Sequence, residues 1–205
     1  MQNQPTQNVR IITADPSAIG LLGLAIVTLV ASSQKLGITQ DVSLIIPWAL
    51  FLGASAQLIA SFGDAKLGNT FGMTAFGAYG LFWLGVAMTW LIQNGVFGET
   101  LAATADVKEL GFAFIGYLIF TLFMTYVAAS IHKVMFFIFL AIDFLFIGLA
   151  VNALVPGSLG HWGHWLAAFA ELTISMLAFY GCAAAVMSCH FGRTVLPVGK
   201  PFIKR

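Results

Sequence analysis

Charged residues are scarce in this sequence. Lys, Arg, Asp and Glu together make up 8% of its 205 residues, whereas 60% are apolar. A soluble globular domain carries roughly 25% charged residues, so the composition excludes an ordinary cytosolic enzyme and a disordered chain. The net charge of +1 also argues against a polyanionic partner such as nucleic acid. With a mean hydropathy of +0.93, the chain is predicted to be an integral membrane protein of one domain.

Cysteines and catalytic motifs are also few. The two cysteines, Cys182 and Cys189, are seven residues apart on one helical face, too far for a disulfide, and are predicted to be buried free thiols. No P-loop, dinucleotide fingerprint, zinc-protease helix or nucleophile elbow occurs, so neither an enzyme nor a cofactor is expected. His161 and His164 have a spacing that suits a metal, but no third ligand is near. They are interpreted as solvated interfacial side chains, and no metal site is predicted.

Long uncharged apolar runs are what the sequence does contain. A bilayer core about 30 Å thick needs about 20 helical residues, and six runs have about that length. Because they lack the alternating pattern of barrel strands, they are predicted to be six transmembrane helices of an all-α membrane protein. The runs are Pro16–Ser33, Ser43–Phe62, Phe71–Ile92, Leu110–Ser130, Val134–Leu154 and Trp162–His190. Residues 15–192 form the predicted transmembrane domain, between a tail of residues 1–14 and a basic tail of residues 193–205.

The distribution of Lys and Arg predicts the orientation in the membrane. An even number of spans puts both termini on one side, and basic residues favour the cytoplasmic side. The terminal side carries Arg10, Lys66, Lys133, Arg193, Lys200, Lys204 and Arg205, and the other side carries Lys35 and Lys108. Both tails are therefore predicted to be cytoplasmic, in a multi-pass protein of the cytoplasmic (inner) membrane. Span ends on the opposite side carry an interfacial aromatic belt, formed by Trp48, Trp90, Trp162 and Trp165.

Two acidic residues fall inside the predicted spans. Asp143 lies near the middle of the fifth span, and Glu171 lies about ten residues into the sixth. No Lys or Arg lies at comparable depth, so neither acid is expected to have an ion-pair partner, and burial favours the neutral carboxyl. Both are candidate proton sites. The alternative is a structural carboxyl bonded to a Ser, Thr or carbonyl group, or an acid at a subunit contact.

Polar side chains occur at the helix starts and within one span. Asp15 and Pro16 form a helix-start motif at the first span, in which Asp15 serves as a cap. Asn69 and Thr70 stand at the start of the third span, where free N–H groups attract a small anion. Gln57 lies deep in the second span and has a hydrogen-bond donor for a passing solute. These features fit a polar permeation route, with helix-to-helix hydrogen bonding as the alternative.

Small residues recur at helical spacing within the spans. Among them are Gly20, Gly23, Gly53, Gly77 and Gly80. They fit close packing between helices, with a narrow open pathway as the alternative.

Three strings of the sequence carry a family resemblance. They are the run from Gly68 to Trp83 (GNTFGMTAFGAYGLFW), the ending from Phe191 to Gly199 (FGRTVLPVG) and the opening from Asp15 to Leu21 (DPSAIGL). They resemble the acetate uptake transporter family, the succinate–acetate permeases, over essentially the whole chain from Asp15 to Gly199. The resemblance implies six transmembrane helices and a homohexamer with a separate pathway through each subunit. It also implies permeation of acetate and related small carboxylates such as succinate, by proton symport or by channel-like conduction.

Residue roles follow from the same resemblance. Members have an Asn-Pro signature at the first helix, where this chain has Asp15. Their hydrophobic constriction of Phe, Tyr and Leu matches Leu24, Tyr79 and Ile142 here, which predicts a dry neck that is wider than usual. The Tyr79 hydroxyl is expected to offer one hydrogen bond to a carboxylate that loses its hydration shell.

The expected carboxylate site lies near Asn69 and Thr70, with Gln57 close by. The family pattern does not place acids at Asp143 and Glu171, which sets this chain apart. Two alternative functions stay open: a six-helix urea or amide channel, and a membrane scaffold or sensor that transports nothing. The expected partners are small carboxylates, the lipid bilayer and copies of the same chain.

Overall fold

The computed structural model describes residues 14–204, and all regular structure in that part of the chain is helical. Residues 1–13 of the predicted tail, with Arg10, and Arg205 from the charge count lie outside the described residues. We label the helices α1 (Ser17–Lys35), α2 (Ile45–Lys66), α3 (Thr70–Gln93), α4 (Glu99–Thr104), α5 (Val107–Ala128), α6 (Lys133–Leu154) and α7 (Ser158–Phe191).

Six of these helices are long and apolar enough to cross a membrane. They are α1, α2, α3, α5, α6 and α7, and each contains or overlaps one predicted run. The prediction of an all-α protein with six candidate spans is confirmed. The short helix α4 was not predicted; it lies in the connection between α3 and α5, where six residues are too few for an apolar periodicity to show.

Side-chain caps fix where several helices begin. Asn69 precedes α3 and accepts a hydrogen bond from the Gly72 N–H at 3.3 Å, after a turn in which Gly68 has a φ of +70°. His132 precedes α6, and its Nδ1 accepts from the Met135 N–H at 3.0 Å. These caps satisfy N–H groups that the first helical turn leaves without an intrahelical partner.

The six long helices pack side by side in a closed ring, in the order α3, α2, α1, α7, α6, α5. Small residues permit the closest approaches: a Cβ on Gly23 of α1 would lie 2.6 Å from the Leu52 carbonyl oxygen of α2. Between α3 and α5 the ring closes through a hydrogen bond from the Tyr117 hydroxyl to the Ala78 carbonyl at 2.9 Å. Inside the ring, polar side chains from several spans can meet away from lipid.

Part of α2 is a π-helix. The wide turn covers Ala49–Ala54, and the Ser55 hydroxyl donates to the Leu50 carbonyl five residues earlier, at 2.8 Å. A π-turn inserts one extra residue into a helix and is frequent at functional sites.

The outer surface of the ring is apolar, as a membrane protein requires. Phe51 and Phe62 of α2 and Phe112 and Tyr126 of α5 are each at least two-thirds exposed. Both cysteines are free, as predicted, but only Cys182 is partly buried. The prediction of two buried thiols was wrong for Cys189, which is exposed because it lies near the end of α7, beyond most of the packing with neighbouring helices.

Candidate functional site: two cavities inside the helix ring

A cavity of about 240 Å³ opens inside the ring. It collects most of the residues that the sequence suggested for a pathway: Asp15, Leu24, Gln57, Asn69, Tyr79 and Ile142 all line it. Thr70 does not line it and is exposed. The five glycines considered for an open pathway do not line it either; Gly20 faces the Phe76 ring and Gly23 faces α2, so they serve helix packing.

A second cavity, of about 120 Å³, lies further along the same helices. The first half of α3, from Phe71 to Tyr79, lines the first cavity, and the second half, from Phe82 to Gln93, lines the second. In α6 the lining passes from Ile142 to Leu145 in the same way. In both helices the lining changes from one cavity to the other within three residues, which at a rise of 1.5 Å per residue is about 4.5 Å along the axis. The two cavities therefore follow one line through the ring, with a thin partition between them.

Apolar and aromatic side chains form that partition. Leu24, Tyr79 and Ile142 are 7%, 5% and 3% exposed, so all three are buried. The Phe146 ring packs between the others: its centroid is 6.5 Å from that of Tyr79 and 5.3 Å from that of Phe82. Tyr79 lines the first cavity and Phe82 the second, and with the Phe146 ring between them the partition contains three aromatic rings.

The Tyr79 hydroxyl is engaged inside the protein. It lies 2.9 Å from Thr121 Oγ1, and the Thr121 hydroxyl also lies 2.7 Å from the Tyr117 carbonyl oxygen. A carbonyl can only accept, so Thr121 donates to Tyr117 and Tyr79 donates to Thr121. The Tyr79 hydroxyl proton is therefore used in the hydrogen bond to Thr121 of α5. The Tyr79 ring rather than its hydroxyl faces the first cavity.

Asp64 was missed by the sequence reasoning, which assigned it to a connection between spans. It is 3% exposed and lines the first cavity, and its Oδ1 accepts from Asn69 Nδ2 at 2.8 Å. Its Oδ2 has no hydrogen-bond partner in the described part of the chain. The helical period could have found it: Gln57 and Asp64 are seven residues apart and share one face of α2.

Gln57 presents an acceptor rather than a donor to the first cavity. Its Nε2 donates to the Gly53 carbonyl at 2.7 Å, whereas its Oε1 is buried with no partner among residues 14–204. Both polar atoms of Asn69 are used, one by Asp64 and one by the α3 backbone. Among the described residues, the fully buried polar atoms that line this cavity without a hydrogen-bond partner are thus oxygen atoms, on Gln57 and Asp64.

Asp143 is buried at 5% exposure but lines neither cavity. The Thr125 hydroxyl lies 2.7 Å from Asp143 Oδ2 and 2.9 Å from the Thr121 carbonyl oxygen. A hydroxyl has one proton, so it can serve both neighbours only when a protonated Asp143 donates to Thr125 and Thr125 donates to Thr121. This hydrogen-bond count favours the neutral acid.

Glu171 has an ion-pair partner, which corrects the expectation that it would have none. Its Oε2 lies 2.9 Å from Lys35 Nζ, and both side chains line the second cavity. The sequence reasoning placed Lys35 in a connection; in the structure it is the last residue of α1, and its long side chain reaches α7. A side chain of four methylene groups can carry its charge well away from its own backbone.

The histidines take part in hydrogen bonds between and within helices. His164 Nε2 donates to the Lys35 carbonyl at 2.8 Å, and His161 Nε2 accepts from Trp165 Nε1 at 3.0 Å. At the other end of the ring His132 lines the first cavity, and burial lowers its pKa below the usual value. His132 is therefore neutral at pH 7, consistent with its role as an acceptor at the start of α6.

A closed ring of six spanning helices, apolar outside and with two aligned cavities inside, defines a multi-pass membrane protein built around a pathway for small solutes. The chain belongs to the GPR1/FUN34/yaaH family, whose model matches residues 1–199. Over 188 residues it is 32% identical to the succinate-acetate/proton symporter SatP of Escherichia coli, covering 91% of this chain and 96% of that protein.

Two further comparisons agree. The acetate permease A of Emericella nidulans is 27% identical over 198 residues, which cover 90% of this chain and 65% of that protein. The solved structure of the bacterial acetate channel SatP matches with a TM-score of 0.83 and 31% identity, over 92% of this chain and all of that one. The family resemblance drawn from the three sequence strings is confirmed.

Proposed function

We propose that this protein transports acetate and related small carboxylates, succinate among them, across the cytoplasmic (inner) membrane. The observation that carries the proposal is the alignment of the two cavities along α3 and α6, separated only by the partition at Tyr79, Phe146 and Phe82. A pathway of this size inside one chain suits a solute of two to four carbon atoms. The relatives named for acetate or succinate transport support the choice of substrate. Their names describe transport proteins, so we infer that this protein is not an enzyme.

The partition accounts for selectivity. A hydrophobic constriction excludes bare ions because they lose hydration without compensation, and it can close by dewetting. We propose that Leu24, Tyr79 and Ile142 form this constriction and that Phe146 completes it. Since the Tyr79 hydroxyl is bonded to Thr121, the ring face and not the hydroxyl contacts the solute.

The charges of the first cavity favour transport that is coupled to protonation. An acetate ion that enters meets the carboxylates of Asp15 and Asp64, and the unpaired oxygen atoms there prefer a donor. Protonation of the solute or of Asp64 removes one like-charge repulsion. Of the acids suggested by the sequence, Glu171 lines the second cavity, and we assign Asp143 a structural role through Thr125.

We further propose that the chain forms a homohexamer with one pathway per subunit and with both tails in the cytoplasm. Exposed aromatic side chains on α2 and α5 offer apolar surface for contacts between subunits. The basic residues near the ends, such as Lys66 and Lys133, support the orientation. Native mass spectrometry in detergent gives the subunit number, and labelling of cysteines placed in either tail gives the orientation.

Uptake of labelled acetate and labelled urea into proteoliposomes, at two pH values, tests the proposed substrate. Acetate should enter the proteoliposomes faster than it enters protein-free vesicles. Urea should enter both at the same rate. Faster uptake of urea would identify an amide channel, and uptake of neither would identify a scaffold or sensor. Measured at a fixed acetate-ion concentration, a rate that rises at the lower pH favours symport, and a constant rate favours a passive channel.

A further inference from the structure

The second cavity contains an ion pair whose two members are unequally accessible. The Lys35 side chain is 16% exposed and that of Glu171 is 3% exposed, and both line the cavity. The other lining groups are apolar or neutral, and they include Thr89, Gln93, Trp83 and Trp90. The cation is thus the more accessible member of the pair.

The Lys35 ammonium has donors left over. An ammonium group carries three N–H donors, and within the described residues Nζ makes one hydrogen bond, to Glu171 Oε2. The backbone of Lys35 is held in place by the hydrogen bond from His164 to its carbonyl oxygen. The group that faces the cavity is thus positioned by two contacts with α7 and still has capacity for a ligand.

We propose that the Lys35 ammonium group binds the substrate carboxylate in the second cavity. In this proposal the Glu171 carboxylate competes with the substrate for the same ammonium group. This assignment rests on the proposed transport of small carboxylates. The side chain of Glu171 ends in the same functional group as acetate, so both present two oxygen atoms to one ammonium. A cavity of about 120 Å³ accommodates a solute of this class beside the pair.

Competition of this kind would set the strength of binding. An unpaired ammonium in a partly buried cavity would bind a carboxylate tightly and release it slowly, and conduction requires that a solute also leave. Glu171 neutralises the charge of Lys35 and thereby lowers the affinity of Lys35 for the substrate carboxylate. The pair is thereby a means of keeping an anion site weak enough for turnover.

Two variants separate this role from a structural one. Glu171→Gln keeps the size of the side chain but leaves the Lys35 charge without its counter-ion, so the acetate concentration for half-maximal uptake should fall about tenfold, with a lower maximal rate. The double variant Lys35→Met, Glu171→Met replaces the pair by apolar groups of similar length, which folds often tolerate. Its half-saturation concentration should rise about tenfold. Glu99→Gln, an exposed acid in α4, controls for loss of surface charge and should change neither.

Initial rates of labelled acetate uptake into proteoliposomes, at constant pH and ionic strength, give these values, and equilibrium binding of labelled acetate to the purified protein in detergent gives the matching Kd. The inference is overturned if both pair variants bind and transport acetate with the wild-type concentration dependence. A wild-type protein that transports no acetate refutes the proposed function instead. In that case the binding measurement alone decides whether Lys35 holds a carboxylate.

Discussion

The hydroxyl of Tyr79 in α3 donates to Thr121 of α5 over 2.9 Å, which turns the polar end of this side chain away from the first cavity. Two consequences follow. The hydrogen bond helps to close the ring between α3 and α5, and the part of Tyr79 that a solute passes is an apolar face. The contribution of Tyr79 to transport and its contribution to stability can therefore be separated by mutation.

Replacing Leu24, Tyr79 and Ile142 together with Ala should raise acetate flux by about fivefold or more and admit larger carboxylates, because a dry neck is the main barrier to an anion. Tyr79→Phe keeps the ring and should leave flux and selectivity near the wild-type values, while it destabilises the fold by about 1 kcal/mol through the lost hydrogen bond. Flux of acetate, butyrate and benzoate into proteoliposomes measures both effects. Normal selectivity in the triple variant would show that the barrier lies elsewhere.

Asn69→Ala should lower the free energy of unfolding by about 1–3 kcal/mol, because it removes the cap of α3 and leaves the buried Asp64 carboxyl without its donor. Acetate binding should weaken as well, since Asp64 then loses the hydrogen bond that positions its carboxyl group beside the cavity. Asn94→Ala is the matched control at the other end of α3, where the exposed amide donates only to the Trp90 carbonyl. It should cost no more than about 0.5 kcal/mol. Equal losses in the two variants would contradict a special role for Asn69.

The pH dependence of transport should respond to Asp64 and not to Asp143. Both are buried, but only Asp64 lines a cavity. Asp64→Asn should therefore flatten the rise of acetate flux as the pH falls, whereas Asp143→Asn should keep the wild-type profile and lose only stability. Flux measured across pH at a fixed acetate-ion concentration removes the trivial effect of bulk acid protonation. The reverse pattern would make Asp143 the proton site.

His132 should make the protein less stable in mild acid. Burial lowers its pKa in the folded state, so the unfolded chain, with a pKa of about 6.5, takes up the proton more readily. The contribution of His132 to stability is present above pH 6.5 and is lost as the pH falls through this value towards the lowered pKa. His132→Asn keeps an acceptor at the start of α6 but does not titrate. The melting temperature of this variant should fall less between pH 7.5 and pH 5.5 than that of the wild type, and an equal fall would exclude the histidine as the cause.

The number and approximate bounds of the spanning helices could be predicted from sequence because they depend on local hydropathy. Asn69 and Tyr79 lie in one family string and Gln57 is an isolated polar residue within a span, and all three line the first cavity. These features can be recognised from short stretches of sequence: a run of apolar residues, a polar residue within such a run, or a family motif.

What the sequence did not predict depends on contacts between distant parts of the chain. Lys35 and Glu171 are 136 residues apart, and only the packing of α1 on α7 brings their charges together. Asp64 resembled a loop residue because it lies beside Lys66, yet the turn at Gly68 folds α3 back over it. The direction of the Tyr79 hydroxyl depends in the same way on where α5 closes the ring.

The π-turn in α2 changes the direction in which side chains of the second half of that helix point, relative to those of the first half. Before the turn, Ile45 packs into an apolar cluster with Trp83; after it, Gln57 and Asp64 face the first cavity. One extra residue in the turn corresponds to about 100° of rotation about the helix axis. If the same residues were wound as an uninterrupted α-helix, Gln57 and Asp64 would rotate by about that angle, out of the lining. Deleting one residue between Ala49 and Ala54 together with the wide turn would instead keep their direction. The wide turn is thus the feature that directs these two polar side chains into the first cavity.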